Sequence, residues 1–481
     1  MNWFRSIALP LALAGILATP AAAIELPDLG DASRSALSEN QEDRIGREIM
    51  RQIRESSDYL DDAVVADYLA NLGDRLVAAS TAPGRHFEFF PVRDATINAF
   101  ALPGGYIGVH TGLISAARNE SELAGVLSHE IAHVTQQHIA RMVDNQRNAS
   151  VISLAALAVA ILAARSNSQV AEAALAGSAA LSLQNQLDFT RENEREADRV
   201  GLRILDQAGF ALEGMASFFE RLQAQGRLYE NNAPAYMRTH PLTFERIADM
   251  QNRVGEQPYR QHTDSVDFKL VRARVQAAQG EARDAVTLFE ARVREQEDAA
   301  AWYGLLQASL RAGDLPRARR ALGKLGKDAV GSPLPAMATV ELALAEGRAE
   351  EAIRQARAGL AKYPGYRPLA YLYARALLRA KRVVEALDFL DERRRDWPSD
   401  PQFQLLLAEA YGAAGQNAKA HLAQAEAYAL SDRVAAAIEQ LRLAQRAGNA
   451  DFYTLSIIDA RLRALREIES KEAAEMARKG K

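Results

Sequence analysis

The sequence predicts an α+β domain, mostly helical around a small sheet, joined to an all-α solenoid. Three observations carry that prediction. From about Glu42 to Met250, apolar residues recurring every three or four positions alternate with short strand-like runs, as in helices flanking a few strands. Beyond Asp264 the chain reads as nearly unbroken helix rich in Ala, Leu and Arg. That second part also repeats: Gly280, Gly313, Gly347, Lys381, Gly415 and Gly448 stand 33, 34, 34, 34 and 33 residues apart. A chain of 481 residues is too long for one core, so two or three domains are expected.

Composition narrows the chemistry. With 62 acidic and 58 basic residues, the formal net charge of -4 gives no reason to expect a nucleic-acid partner. There is no cysteine, which excludes thiolate metal sites, disulfides and cysteine nucleophiles together. Any metal must therefore be held by histidine and carboxylate.

Taken in order, Arg5, the apolar run from Ile7 to Leu17 and the small residues Ala21-Ala22-Ala23 read as a secretory signal peptide over residues 1–23, too short to span a membrane. A first domain is expected over 24–260. QEDRIGREIMRQI and DDAVVADYLANLGDRLVAA carry helical periodicity. HFEFFPV, TINAFAL and YIGVHTGLI are strand-like runs broken by Pro91, Pro103 and Gly104-Gly105, giving a small sheet with at least one hairpin.

NESELAGVLSHEIAHVTQQHIARMV then predicts one helix, capped by Asn119 with Glu122 three residues later. His129 and His133, four apart, project side by side and can share one ion. Glu130 lies beside them, where a carboxylate can take a proton from the attacking water. Two surface histidines on a polar face are the alternative. His138, five residues beyond His133, is rotated by about 140° on a continuous helix and is expected off the ligand face, at the surface or behind the ligands. His110 has no ligand partner on its strand.

A catalytic zinc site usually needs a third protein ligand and an open position. TRENEREADRVGLRIL, residues 190–205, offers one. As a helix it places Glu192, Glu196, Arg199 and Arg203 on a charged face and Glu194, Ala197, Asp198, Gly201 and Leu205 on the other. A carboxylate on the inward face needs a cationic partner, which zinc would supply to Glu194. Asp198, one turn on, can accept the remaining ring N–H of a liganding histidine. An acidic pair answered by arginines is the competing reading.

HEIAH at 129–133, followed about sixty residues later by ENEREADRVG, resembles the gluzincin metallopeptidases that include the CAAX prenyl protease and the heat-shock membrane protease. The resemblance implies a zincin-like fold, one Zn2+ per chain held by His129, His133 and Glu194, Glu130 as the base and Asp198 behind the ligands. MRTHPLTFERI, residues 237–247, matches a signature of an envelope subgroup, which implies that His240 lies over the zinc as a fourth ligand, gate or oxyanion donor. Its other reading is the approach to a helix starting near Thr243, with Glu245 in the first turn. Arg246 either stabilises transition-state charge or pairs with Asp249. TINAFALPGGYIGVHTGLI matches the strand beside the active helix, so Asn98, Ala99, Phe100, Ala101 and Leu102 are expected to bind an extended substrate through their main chain; a buried hairpin is the plainer reading.

Residues 150–183 hold an apolar core from Val151 to Ala164, shorter than the ~20 residues a crossing helix needs. They are expected to line or cover the cleft, or to touch the outer membrane without crossing it. The 34-residue period is that of tetratricopeptide helix pairs, with Ala285, Ala318, Ala352, Ala386 and Ala420 at a matching offset. About five repeats are expected over 265–466, the last one incomplete, with a polar tail over 467–481 fraying from the final helix. Signal peptide, protease and repeats together resemble the subgroup that acts in outer-membrane protein quality control. That implies a periplasmic protein whose clients are misfolded or unassembled outer-membrane proteins, with the repeats meeting clients or the barrel assembly machinery. The rival class is a non-enzymatic chaperone or assembly scaffold with a structural zinc.

Overall fold

The computed structural model describes residues 38–145, 191–228, 235–258, 260–326 and 329–479. The expected signal peptide, residues 1–23, and the 150–183 segment lie outside these residues. Two helices, α1 (Glu39–Glu55) and α2 (Ala63–Ala78), open the domain. Asp62 caps α2 by accepting from the backbone of Val64 and Val65.

Three strands follow: β1 (Glu88–Val92), β2 (Ala99–Leu102) and β3 (Tyr106–His110). Their order is β1-β3-β2, with β1 parallel and β2 antiparallel to β3. Pro103–Gly105 makes the hairpin turn, where Gly104 and Gly105 take φ of 79° and 82°, open to glycine at little cost. Two readings need correction here. Pro91 lies inside β1 rather than breaking it, which the strand tolerates because Pro91 turns its main chain away from β3, its carbonyl accepting from Leu60 N. TGLI is not strand: after His110 the chain turns into the short helix α3 (Thr111–Ala116).

α4 (Glu120–Thr135) is the central helix, and every residue from Glu120 to Val134 is buried. Asn119 caps it through Glu122 N, while the Glu122 carboxylate accepts from Arg118 N and is gripped by Arg221. The expected single helix ends early. α4 stops at Thr135, Gln137 takes φ of 54°, and α5 (His138–Asn145) starts on a new axis. α6 (Arg191–Gln207) packs along α4, followed by α7 (Glu213–Leu228), α8 (Ala235–Thr239) and α9 (Phe244–Gly255). Gly201 of α6 allows the close approach, since a Cβ there would sit 3.1 Å from His129 N.

The all-α part is a stack of helix pairs: Val266–Ala278 with Ala282–Glu295, Ala299–Arg311 with Leu315–Gly323, Leu334–Ala345 with Ala349–Lys362, Arg367–Arg379 with Val383–Arg393, and Pro401–Ala413 with Asn417–Leu430. A sixth pair, Val434–Arg446 with Phe452–Lys479, completes what the sequence suggested was a partial repeat, because the last helix runs on through the polar tail. The period has a backbone cause. Gly280, Gly313, Gly347, Lys381, Gly415 and Gly448 all have positive φ and all sit at the turn within a pair. Ala285, Ala318, Ala352 and Ala386 are buried as expected, but Ala420 is only half-buried and Ala418 takes the inner position.

The array packs onto the first domain with a continuous apolar core that includes Tyr68, Leu69, Phe268 and Leu270. Polar pairs bind the joint: Arg274 to Asp62 (2.8 Å), Arg367 to Asp67, and Glu120 to Ser265 Oγ (2.7 Å). No helix among the described residues is long and apolar enough to cross a membrane.

Candidate metal centre

His129, Glu130 and His133 come from α4, Glu194 and Asp198 from α6, His240 from the turn after α8, and Arg246 from α9. Long-range packing brings them together, and all seven side chains are buried.

His129 Nε2 lies 3.0 Å from His133 Nε2 and 3.4 Å from Glu194 Oε2, and His133 Nε2 is 3.4 Å from Glu194 Oε1. His240 Nδ1 is 3.0 Å from Glu194 Oε1, and its Nε2 is 3.6 Å from Glu130 Oε1. One donor atom from each of His129, His133, Glu194 and His240 lies within 4.8 Å of the other three. A tetrahedron with bonds of about 2.0–2.1 Å has edges of about 3.3 Å, so three imidazoles and a carboxylate at these spacings fit zinc.

The groups behind the ligands are as ordered. His129 Nδ1 faces Asp198 Oδ1 at 3.1 Å. Arg246 forks onto Asp198 (Nε to Oδ2 2.7 Å, Nη2 to Oδ1 2.8 Å), and its Nη1 lies 2.7 Å from Pro241 O and 2.8 Å from Glu194 Oε2. The pairing of Arg246 with Asp249 is not found. Asp249 takes Arg253, because Arg246 faces inward from α9. His110 stands apart, with Nδ1 3.0 Å from Thr96 Oγ1.

Burial, the largest influence on Glu194, would raise its pKa, yet His240, His129 and His133 hold it well below the usual carboxylate range. Burial also opposes charge on His129, but Asp198 and Glu194 lift it to about 9. His133 is held well below its ordinary value by burial. Glu130 differs from Glu194: burial pushes its carboxyl up despite His240 and His129. Neither Glu130 oxygen has a well-formed hydrogen bond among the described residues. The nearest backbone donor acting on it is the Ala101 N–H.

That N–H belongs to an open edge. His110 N donates to Asn98 O, so Asn98, Phe100 and Leu102 turn their main chain toward β3, and Ala99 and Ala101 turn theirs away. Asn98 itself precedes the strand, and its Oδ1 is buried without a partner among the described residues.

Sequence reasoning missed two contributors, Glu196 and Tyr236, and for His138 left open whether it lies at the surface or behind the ligands. His138 is fully buried and lies against His133, because the break at Gln137 returns it to the site. The positive-φ residue in the turn leaves no signal in apolar periodicity. Glu196, read as part of a solvated face, receives His138 and Arg141. Tyr236 stacks on His240 at 4.6 Å with its hydroxyl buried and unpartnered among the described residues. The four-residue spacing from Tyr236 to His240 was its only trace in the sequence.

Comparison with known proteins agrees with this geometry. Residues 64–254 match the model of peptidase family M48, and residues 270–330 and 343–410 match tetratricopeptide repeat models. The chain is 34% identical over 454 residues to the beta-barrel assembly-enhancing protease of Escherichia coli, covering 93% of this chain and 92% of that one. It is 31% identical over 452 residues to the protein of that name from Yersinia pestis, with the same coverage. A shorter match, 30% over 197 residues, joins 41% of this chain to 55% of the mitochondrial metalloendopeptidase OMA1 of Schizosaccharomyces pombe.

Proposed function

The chain belongs to peptidase family M48, alongside the beta-barrel assembly-enhancing proteases, and on that premise we propose that it is a zinc endopeptidase that removes misfolded or stalled outer-membrane barrel proteins in the periplasm. The observation that carries the reading is a cluster of four buried metal donors with a separate carboxylate, Glu130, beside it.

His129, His133 and Glu194 would hold one zinc per chain. When bound, the ion supplies Lewis acidity to the scissile carbonyl and acidifies the attacking water. Glu130 takes that water's proton and returns it to the leaving amine, a role favoured by its raised pKa. Ala99 and Ala101 receive an extended substrate as an added strand, whose register sets which bond faces Glu130. Asn98, Phe100 and Leu102 tie that edge strand into the sheet. Asp198 fixes the tautomer of His129. Arg246 acts through Asp198 and Glu194 rather than on the substrate, and is a positioning residue.

His240 sits where a substrate or water would need access, bridging Glu194 and Glu130. We assign it as a gate that closes the site at rest and, once displaced, leaves the open position that catalysis requires. The same four-donor closure favours a second reading, a structural zinc in a chaperone or scaffold. Glu130 argues against it, since a structural site gains nothing from a buried carboxylate that is not one of the ligands. The repeats would hold clients or the assembly machinery.

Glu130→Gln tests the function. The variant should fold and keep its zinc but fail to cleave casein; cleavage at the wild-type rate would leave the scaffold reading.

A further inference from the structure

A ligating histidine binds through one ring nitrogen and is held through the other. For His129 the holding group is Asp198. For His133 it is another histidine, reached in an unexpected way. On a continuous helix, His138 would point away from His133. Here the helix ends at Thr135, Gln137 takes φ of 54°, and the new helix begins with His138 itself. The two rings meet edge to face with centroids 4.8 Å apart, and Nδ1 of one lies 2.8 Å from Nδ1 of the other. His138 Nε2 is 3.1 Å from Glu196 Oε2, and Arg141 Nη2 is 2.7 Å from the same oxygen. His138 has no solvent exposure.

Proton positions then follow from the geometry. Two ring nitrogens 2.8 Å apart need one proton between them, so one donates and the other accepts. His133 points Nε2 at the metal donors and needs that lone pair for the ion, so its proton sits on Nδ1 and is donated to His138. His138 must then carry its own proton on Nε2, where Glu196 accepts it. Each member has one allowed state, and the reverse polarity would remove His133 from the ligand set.

We propose that Glu196–His138–His133 is a positioning relay that fixes the tautomer and ring angle of the second metal-binding histidine and so sets the affinity of the site for zinc. This rests on reading His133 as a ligand. The two histidines of the helix are held differently: His129 directly by a carboxylate, His133 by a neutral imidazole backed by Glu196, which α6 contributes two residues before Asp198 and on another face.

The test uses the full chain, with zinc affinity measured by competition against a chromophoric chelator and the visible spectrum recorded after cobalt substitution. His138→Phe keeps the ring volume but offers no acceptor, and should weaken zinc binding by roughly 10–100-fold and alter the cobalt bands. His138→Gln, whose amide oxygen can accept the His133 proton, should recover most of that loss. If His138→Phe does not fold, Glu196→Ala carries the test, with a loss of several-fold expected. The relay is overturned if His138→Phe binds zinc within twofold of wild type with unchanged cobalt bands, if Phe and Gln variants are equally weakened, or if Glu196→Ala changes nothing. His133→Ala separates the two claims. It should lose zinc more completely than any of these, and if it does not, the metal-centre reading falls and the relay with it.

Discussion

Replacing Arg246 by methionine should unfold the metal-free protein far more easily than a surface change would. The guanidinium is 2% exposed and holds Asp198 through two hydrogen bonds of 2.7 and 2.8 Å, with Glu194 2.8 Å away. Methionine keeps much of the volume but leaves two buried carboxylates side by side with only the neighbouring histidines to offset them. Removing one partner of a buried ion pair costs about 3–5 kcal/mol, a large share of the ~5–15 kcal/mol that holds a domain folded. Zinc should return more stability to the variant than to wild type, because without Arg246 only the histidines offset the Glu194 charge. At a hundredfold excess over its dissociation constant, a ligand adds about 2.7 kcal/mol. Urea unfolding followed by circular dichroism, in chelator and then in zinc, reads both effects. Adding Asp198→Asn to Arg246→Met should restore part of the loss, because one orphaned charge disappears. An Arg246→Met protein within about 1 kcal/mol of wild type in chelator would refute the reasoning, since buried charges left alone cannot be that cheap.

Two further changes probe the frame around the site and the array. Gly201→Val places a side chain against the backbone of Ser128 and His129, where a Cβ alone would meet atoms at 3.1–3.2 Å. It should cost about 1–3 kcal/mol by overpacking and lower zinc affinity by forcing α4 and α6 apart, read by urea unfolding and chelator competition. Lys381 occupies the positive-φ turn position that glycine holds in the other pairs, at φ of 60°. Lys381→Gly should therefore stabilise the array by about 0.5–1 kcal/mol, the left-handed penalty of ~1–2 less glycine's entropic cost, measured as a higher urea midpoint.

Much of this was legible in the sequence because it is local. HEIAH and ENEREAD each place their ligands on one helix face, and the 34-residue spacing marks turns that need a positive φ. What was not legible depends on where chain segments meet. For Arg246 the sequence leaves transition-state charge and a pair with Asp249 both open, but its partners come from α6, 48 and 52 positions away. An unbroken helix leaves His138 open to a place at the surface or behind the ligands, and the break at Gln137 selects the second. The charged face of 190–205 was drawn from the helix alone, so Glu196 looked solvated until α5 covered it. The docking of the array on α2 through Arg274 and Arg367 leaves no periodic trace at all.

The proposed function requires a zinc at His129, His133 and Glu194 on which peptide hydrolysis depends. Zinc content per chain and casein cleavage should be measured on one preparation as it is stripped by chelator and then refilled. Cleavage should fall with zinc, be absent in the stripped protein and return in full as occupancy approaches one ion per chain. Undiminished cleavage by protein with no bound metal would contradict it.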